Sequence, residues 1–136
     1  MKRFSGWCFI VAGLLCVTPT LAGVWDHTIA IPDIATATVQ GRGISSRLLT
    51  PQQLTKLVDW FKAHDKGWEG LMETPPAPIA MEIATSGPNG QQSSLDLFVS
   101  NDGTATAYFY APKPAFPLKR HLSEADVKGL QAAIGN

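Results

Sequence analysis

Residues 93–111 read SSLDLFVSNDGTATAYFYA, two runs of alternating side chains on either side of Asn101-Asp102-Gly103. A period of two belongs to a half-buried strand, and a short Asn/Asp/Gly insert between two such runs marks a hairpin. Because successive side chains point to opposite faces, the loop length decides which residues share a face. A three-residue loop sets Leu97 opposite Ala107 and Leu95 opposite Phe109, a consistent apolar face. The other face then carries Asp96, Phe98, Thr106, Tyr108 and Tyr110. A two-residue loop mixes the faces, so the three-residue register is expected. Its second face is more aromatic than a plain solvated face. Cover by an N-terminal strand or a loop is one account of those rings, and an exposed binding surface is the other.

Other segments extend the pattern. In residues 78–86, Ile79, Met81 and Ile83 alternate with Ala80, Glu82 and Ala84, a further strand. Trp25, His27, Ile29 and Ile31 alternate before Pro32, which ends a strand or places it at an edge. A second short strand is expected through residues 36–40, followed by a turn at Gly41-Arg42-Gly43. Residues 74–78 (TPPAP) and 111–117 (APKPAFP) read as stiff connectors. Two helices are marked by their openings. Thr50, Pro51 and Gln53 make an N-cap, an N1 proline and a capping box, with Leu49 and Leu54 as a hydrophobic staple. Leu54, Leu57, Val58 and Phe61 form its apolar stripe, and Gly67 fits the C′ position. The second helix starts at Ser123, with Asp126 completing a variant box, Leu122 and Val127 as staple, and Val127, Leu130 and Ile134 as stripe. The expected fold is α+β: a small single domain in which a three- to five-stranded, mostly antiparallel sheet packs on two helices.

The two openings share R-x-L-[ST]-x-x-[QD]-[LV], at residues 47–54 and 120–127. Common capping chemistry accounts for most of this, with internal duplication as the alternative. The paired Arg47 and Arg120 are expected to reach turn carbonyls or nearby carboxylates. At ~100° per residue, Trp60 and His64 flank the first helix's stripe. Asp65 would point into that stripe if the helix went on, so the helix is expected to end near His64, leaving Asp65 and Trp68 to the turn. Trp60 and Trp68 then close the core, and His64 sits where a protonated imidazole interacts well with the helix dipole. The competing reading makes Trp60, His64 and Trp68 part of a binding or catalytic cluster.

The chain starts with Lys2 and Arg3, an apolar run from Phe4 to Val17, then Pro19 and Thr20-Leu21-Ala22 before Gly23. That is the pattern of a secretory signal peptide cut after residue 22, with an uncleaved anchor or lipidation at Cys16 as alternatives. Leu15 before Cys16 is too large for the usual lipidation site. The mature domain is then residues 23–136. Cleavage removes both cysteines, Cys8 and Cys16, so no disulfide, thiol nucleophile or cysteine metal site remains. An exported domain without disulfides fits a bacterial periplasmic or secreted protein. Basic and acidic residues number 11 each in the whole chain, and the signal removes only basic ones. With no basic stripe, nucleic-acid binding is excluded. No second apolar run has membrane length.

His27, His64 and His121 are scattered, and no H-x-x-x-H, G-x-S-x-G or S-x-x-K spacing occurs. No metal, cofactor or catalytic residue is therefore assigned. Acid pairs such as Asp59 with Asp65 or Glu69 with Glu73 lie among Lys56, Lys62 and Lys66 and read as a solvated face. The expected function is that of a small exported binding protein without enzymatic activity. Such a protein could be an inhibitor or immunity protein of an envelope-acting enzyme or toxin, with Trp60, His64, Trp68, Phe98, Tyr108 and Tyr110 as candidate contacts. The alternatives are an accessory subunit of an envelope complex and a hydrolase with a noncanonical His64/Asp65 site.

Overall fold

The computed structural model describes residues 26–71, 74–75, 78–114 and 116–135. The expected signal peptide, both cysteines, Trp25 and part of the 74–78 connector lie outside the described residues. Among these, the chain forms β1 (Thr36–Gly41), β2 (Ile44–Leu48), α1 (Pro51–Ala63), β3 (Glu69–Gly70), β4 (Met81–Ser86), β5 (Gln92–Val99), β6 (Ala105–Tyr110), β7 (Leu118–Leu122) and α2 (Glu124–Ile134). The strands make one sheet in the order β2-β1-β4-β5-β6-β7-β3, every neighbour antiparallel. The class is α+β as expected, but the sheet has seven strands, not three to five. The expected strand around His27–Ile31 is instead an extended segment joined to the α1 exit by the His27–Trp68 bridge and by Ile29 N–H on Asp65 O at 2.8 Å. Its alternation still has a cause, since Ile29 is buried there.

The 93–111 hairpin has the three-residue register. Leu97 faces Ala107, Leu95 faces Phe109 and Asp96 faces Tyr108. Asp102 makes the turn possible by accepting from Thr104 N–H at 3.0 Å and Thr104 Oγ1 at 2.7 Å, while Gly103 takes φ +84°, a conformation glycine adopts without penalty. The covered face of the sheet contributes Val39, Ile83, Leu95, Leu97, Ala107, Phe109 and Leu118, and the helices contribute Leu57, Phe61, Leu130 and Ile134, all almost wholly buried. Each such large side chain stabilises the fold by about 1.5–3 kcal/mol relative to exposure. Gly41 is required by packing: a Cβ there would collide with the Ala80 backbone carbonyl.

Both helices start as their sequences dictate. Thr50 accepts from Gln53 N–H and Gln53 returns a contact to Thr50 N–H; Ser123 and Asp126 repeat the arrangement. α1 ends at Ala63 with His64 as C-cap, so Gly67 is not the C′ residue; it lies further along the turn, at φ +77°. The helices run antiparallel, and each one's finish is held by the residues that begin the other. Arg47 donates to Ile134 O at 2.6 Å, and Gln53 Nε2 donates to the same oxygen at 2.8 Å. Arg120 donates to His64 O at 3.1 Å and to Lys66 O, and Asp126 accepts from His64. The paired arginines thus serve turn carbonyls, the unsatisfied C-terminal acceptors every helix leaves.

This exchange belongs to a two-fold arrangement of six of the sheet's strands, β3 at the β7 edge having no counterpart beyond β2. Val39↔Ile83 in one half has its counterpart in Ala107↔Leu97, Gln40↔Glu82 in Tyr108↔Asp96, and Val39↔Arg47 in Ala107↔Arg120. Residues 36–40 (TATVQ) correspond to 104–108 (TATAY), and 81–86 (MEIATS) to 95–100 (LDLFVS). The axis passes between β4 and β5 at Glu82 and Asp96, which are each other's counterparts and also directly paired.

Candidate functional site on the helix-free sheet face

The cluster around residues 60–68 is assembled, but as a knot. Trp60 is buried between the helices, donating from Nε1 to Asp126 O at 3.2 Å and stacking on His64 at 4.2 Å between ring centres. Trp68 is fully buried and donates to His64 O at 2.7 Å. His64 Nδ1 lies 2.7 Å from Trp60 O and Nε2 lies 3.0 Å from Asp126 Oδ1. Both partners are acceptor oxygens, so each ring nitrogen is turned to an oxygen inside the junction rather than to open solvent. The hydrogen bond from His64, then that from Ser123, pulls the Asp126 carboxyl down to about 2. Asp65 contributes its backbone carbonyl to Ile29. These contacts fix the α1 exit and present little side-chain surface.

The sheet's other face is different. Both helices lie against the covered face, and no described helix packs on this one. One row in register runs Gln40, Glu82, Asp96, Tyr108, Lys119, Glu69 across six strands. The next row runs Leu48, Thr38, Ala84, Ser94, Tyr110. Phe98, Thr106 and His121 make a third. Phe98 packs edge-on to Tyr108 at 5.1 Å, and Phe98 and Tyr110 are half-buried, whereas Tyr108 is only 4% exposed. Leu48, at the β2 edge of the sheet, is 69% exposed. A shallow groove of about 570 Å³ opens on this face, bounded by Thr36, Thr38, Glu82, Ala84, Ser94 and Tyr110 among others.

At the centre, two carboxylates stand side by side, an arrangement that disfavours a sheet. Glu82 accepts from Gln40 Nε2 at 2.7 Å. Asp96 is only 9% exposed, and its Oδ1 has no partner among the described residues. Burial, and secondarily the charge of Glu82, push its carboxyl up to about 6. Burial, then Asp96 and Tyr108, raise the Tyr110 phenol as well. A buried acceptor without a donor costs roughly 1–3 kcal/mol, so this is where the fold departs from its own stability. Among the described residues, no group of three or more His, Cys, Asp or Glu could hold a metal ion.

Of the six residues singled out from sequence, the structure therefore brings Phe98, Tyr108 and Tyr110 together on the helix-free face, and places Trp60, His64 and Trp68 at the helix junction. The Glu82–Asp96 pair was not singled out. The hairpin register put Asp96 on the aromatic face, but its acidic neighbour arrives through the β4–β5 register, set by the five-residue loop 87–91, whose pairing was not read from the sequence. Comparison of the chain with models of known protein families, with curated proteins and with solved structures gives no match.

Proposed function

We propose that the chain is a small exported protein that acts by binding a protein partner in the cell envelope through its helix-free sheet face, as an inhibitor or immunity protein would. The observation that carries this reading is the face itself. It combines half-buried rings, a groove and an acid pair in which Asp96 Oδ1 has no hydrogen-bond partner among the described residues, features that weaken a free fold and suit an interface. The amino-terminal pattern supports export to the periplasm or medium. Among the described residues, no helix is long and apolar enough to cross a membrane. The locked His64 supports a non-catalytic role for the 60–68 cluster.

The test is capture of partners from the envelope fraction of the producing cell by the purified protein, with two variants alongside. A stoichiometric partner lost on Tyr110→Ala and kept on Glu124→Ala, a change on exposed α2, supports the reading. Retention by Tyr110→Ala, or equal loss with both, overturns the assignment of the face. Mass spectrometry of the purified protein should find Gly23 as the first residue. A cytoplasmic protein with intact Met1 would remove the export reading.

A further inference from the structure

The sheet is covered at one edge and open at the other. We propose that the open edge, β2, is completed by an extended segment of the protein partner, added as an antiparallel strand with apolar side chains at alternate positions. This rests on the partner-binding reading above and names the shape the partner must present. The first support is the broken symmetry. β7 and β2 are counterparts, and with Arg120 matching Arg47, Lys119 matches Ser46 and His121 matches Leu48. On β7 the chain's own β3 covers the edge. Glu69 stands opposite Lys119, Gly70 opposite Leu118, and Leu71 N–H donates to Pro117 O at 2.9 Å. Among the described residues nothing takes that place on β2, which pairs with β1 alone. An extended backbone is therefore what this architecture lays on such an edge.

The backbone of β2 presents the bonds. Leu49 N–H donates to Ala37 O at 2.9 Å, and Arg47 stands opposite Val39. Backbone groups alternate in direction along an antiparallel ladder, so Leu48 N–H and C=O, and the Ser46 C=O, turn away from β1 to the open side. The β1–β2 register shift lies between Val39 and Gly41, on the turn side of Arg47. Natural sheets blunt open edges with charges, proline or cover. β2 reads ISSRL and has no proline, and its one charge, Arg47, is turned inward onto Ile134 O. The side chains define the occupant further. Leu48 is 69% exposed, and Ser46 is exposed as well. A cavity of about 340 Å³ opens along this edge, lined by Ile44, Ser46, Ile79 and Glu82 among others. An added strand sets alternate side chains on one face. One would lie against Leu48 and the next beside Ser46 at the cavity, where the isoleucines favour an apolar group and Glu82 disfavours an acid.

The test uses the purified, isotope-labelled protein and two capped peptides, Thr-Val-Thr-Val-Thr and the same sequence with both valines N-methylated, which keeps the side chains and removes the donors. Saturable amide shifts and slowed exchange at Leu48 with the first peptide, absent with the second, are the expected result. The folded Leu48→Pro protein lacks the outward N–H and should not respond. Leu48→Ala keeps that N–H and should bind more weakly but still saturably. Equal response to both peptides, no saturable shift, retention in Leu48→Pro or complete loss in Leu48→Ala would overturn the proposal. So would concentration-dependent self-association through these amides with no effect of the peptide, which gives the edge to a second copy. Failure here is separable from failure of the partner reading. Capture that survives Leu48→Pro but is lost on Tyr110→Ala removes the strand addition and keeps the face. Capture lost on Leu48→Pro and kept on Tyr110→Ala keeps the edge and removes the face.

Discussion

A carboxylate that loses its water without gaining a donor holds its proton longer, and Asp96 holds one up to about pH 6 against 3.8 for the free side chain. The folded value is the higher one, so the folded state binds the extra proton between these limits. Stability contributed by this group is therefore greatest below about pH 4 and falls as pH rises through 6. Asp96→Asn should raise the unfolding free energy read from urea denaturation at pH 7.5 by about 1–2 kcal/mol once partial solvent access is discounted, and give no gain at pH 3.5. A loss at pH 7.5 would mean the charge is already compensated. Asp126 has the opposite sign. Its folded value, about 2, lies below the free one, because His64 and Ser123 donate to it. Its contribution is present above about pH 4 and drains away as pH falls through 2. Asp126→Asn should lower the urea midpoint at pH 7 and matter much less at pH 2. Of these two residues, the sequence displayed Asp126's task, because a capping box is local. Asp96's predicament depends on Glu82 from another strand.

At the scale of elements, the helices were readable to within a residue at their starts, since caps and staples are written in adjacent positions. The strands were readable where their inward residues are apolar. β2 and β7 escaped because each turns an arginine inward, Arg47 and Arg120, which breaks the apolar alternation in order to reach a helix end across the domain. β3 has two residues and exists only through its pairing with β7. The arginines give a direct test. Arg120→Met keeps the aliphatic stem and removes the donors to His64 O and Lys66 O, and should cost about 1.5–3 kcal/mol, the range for hydrogen bonds to a charged group, read from denaturant unfolding. Gly129 tests the helix contact from the other direction. A Cβ there would meet the Trp60 ring at 3.9 Å, an ordinary contact. Gly129→Ala should therefore stabilise by up to about 1 kcal/mol through helix propensity. Destabilisation would mean that the Trp60 ring cannot accommodate a methyl group at this helix contact.

For the whole molecule, β4 and β5 lie at the middle of the sheet, with Ile83, Leu95 and Leu97 fully buried beneath them. Amide exchange should be slowest at these residues and at Ala107, and fastest in the segment 27–31, which is held by a single bridge and one further hydrogen bond. Uniform exchange across both regions would mean the N-terminal segment is part of the cooperative unit. Hydrophobic periodicity conveyed the α+β class and the aromatic face because both follow from spacings of two to four residues. It could not convey the axis, which relates residues far apart in the chain and fixes where the acid pair meets. Residues 92–135 contain β5, β6, β7 and α2, one half of the arrangement in a single run. Made alone, that fragment would have a bare strand edge at β5 and a helix end whose carbonyls await an arginine it cannot supply to itself. A second copy would offer both. The molecule is a homodimer's geometry carried on one thread, and cutting it in half should leave pieces that seek each other.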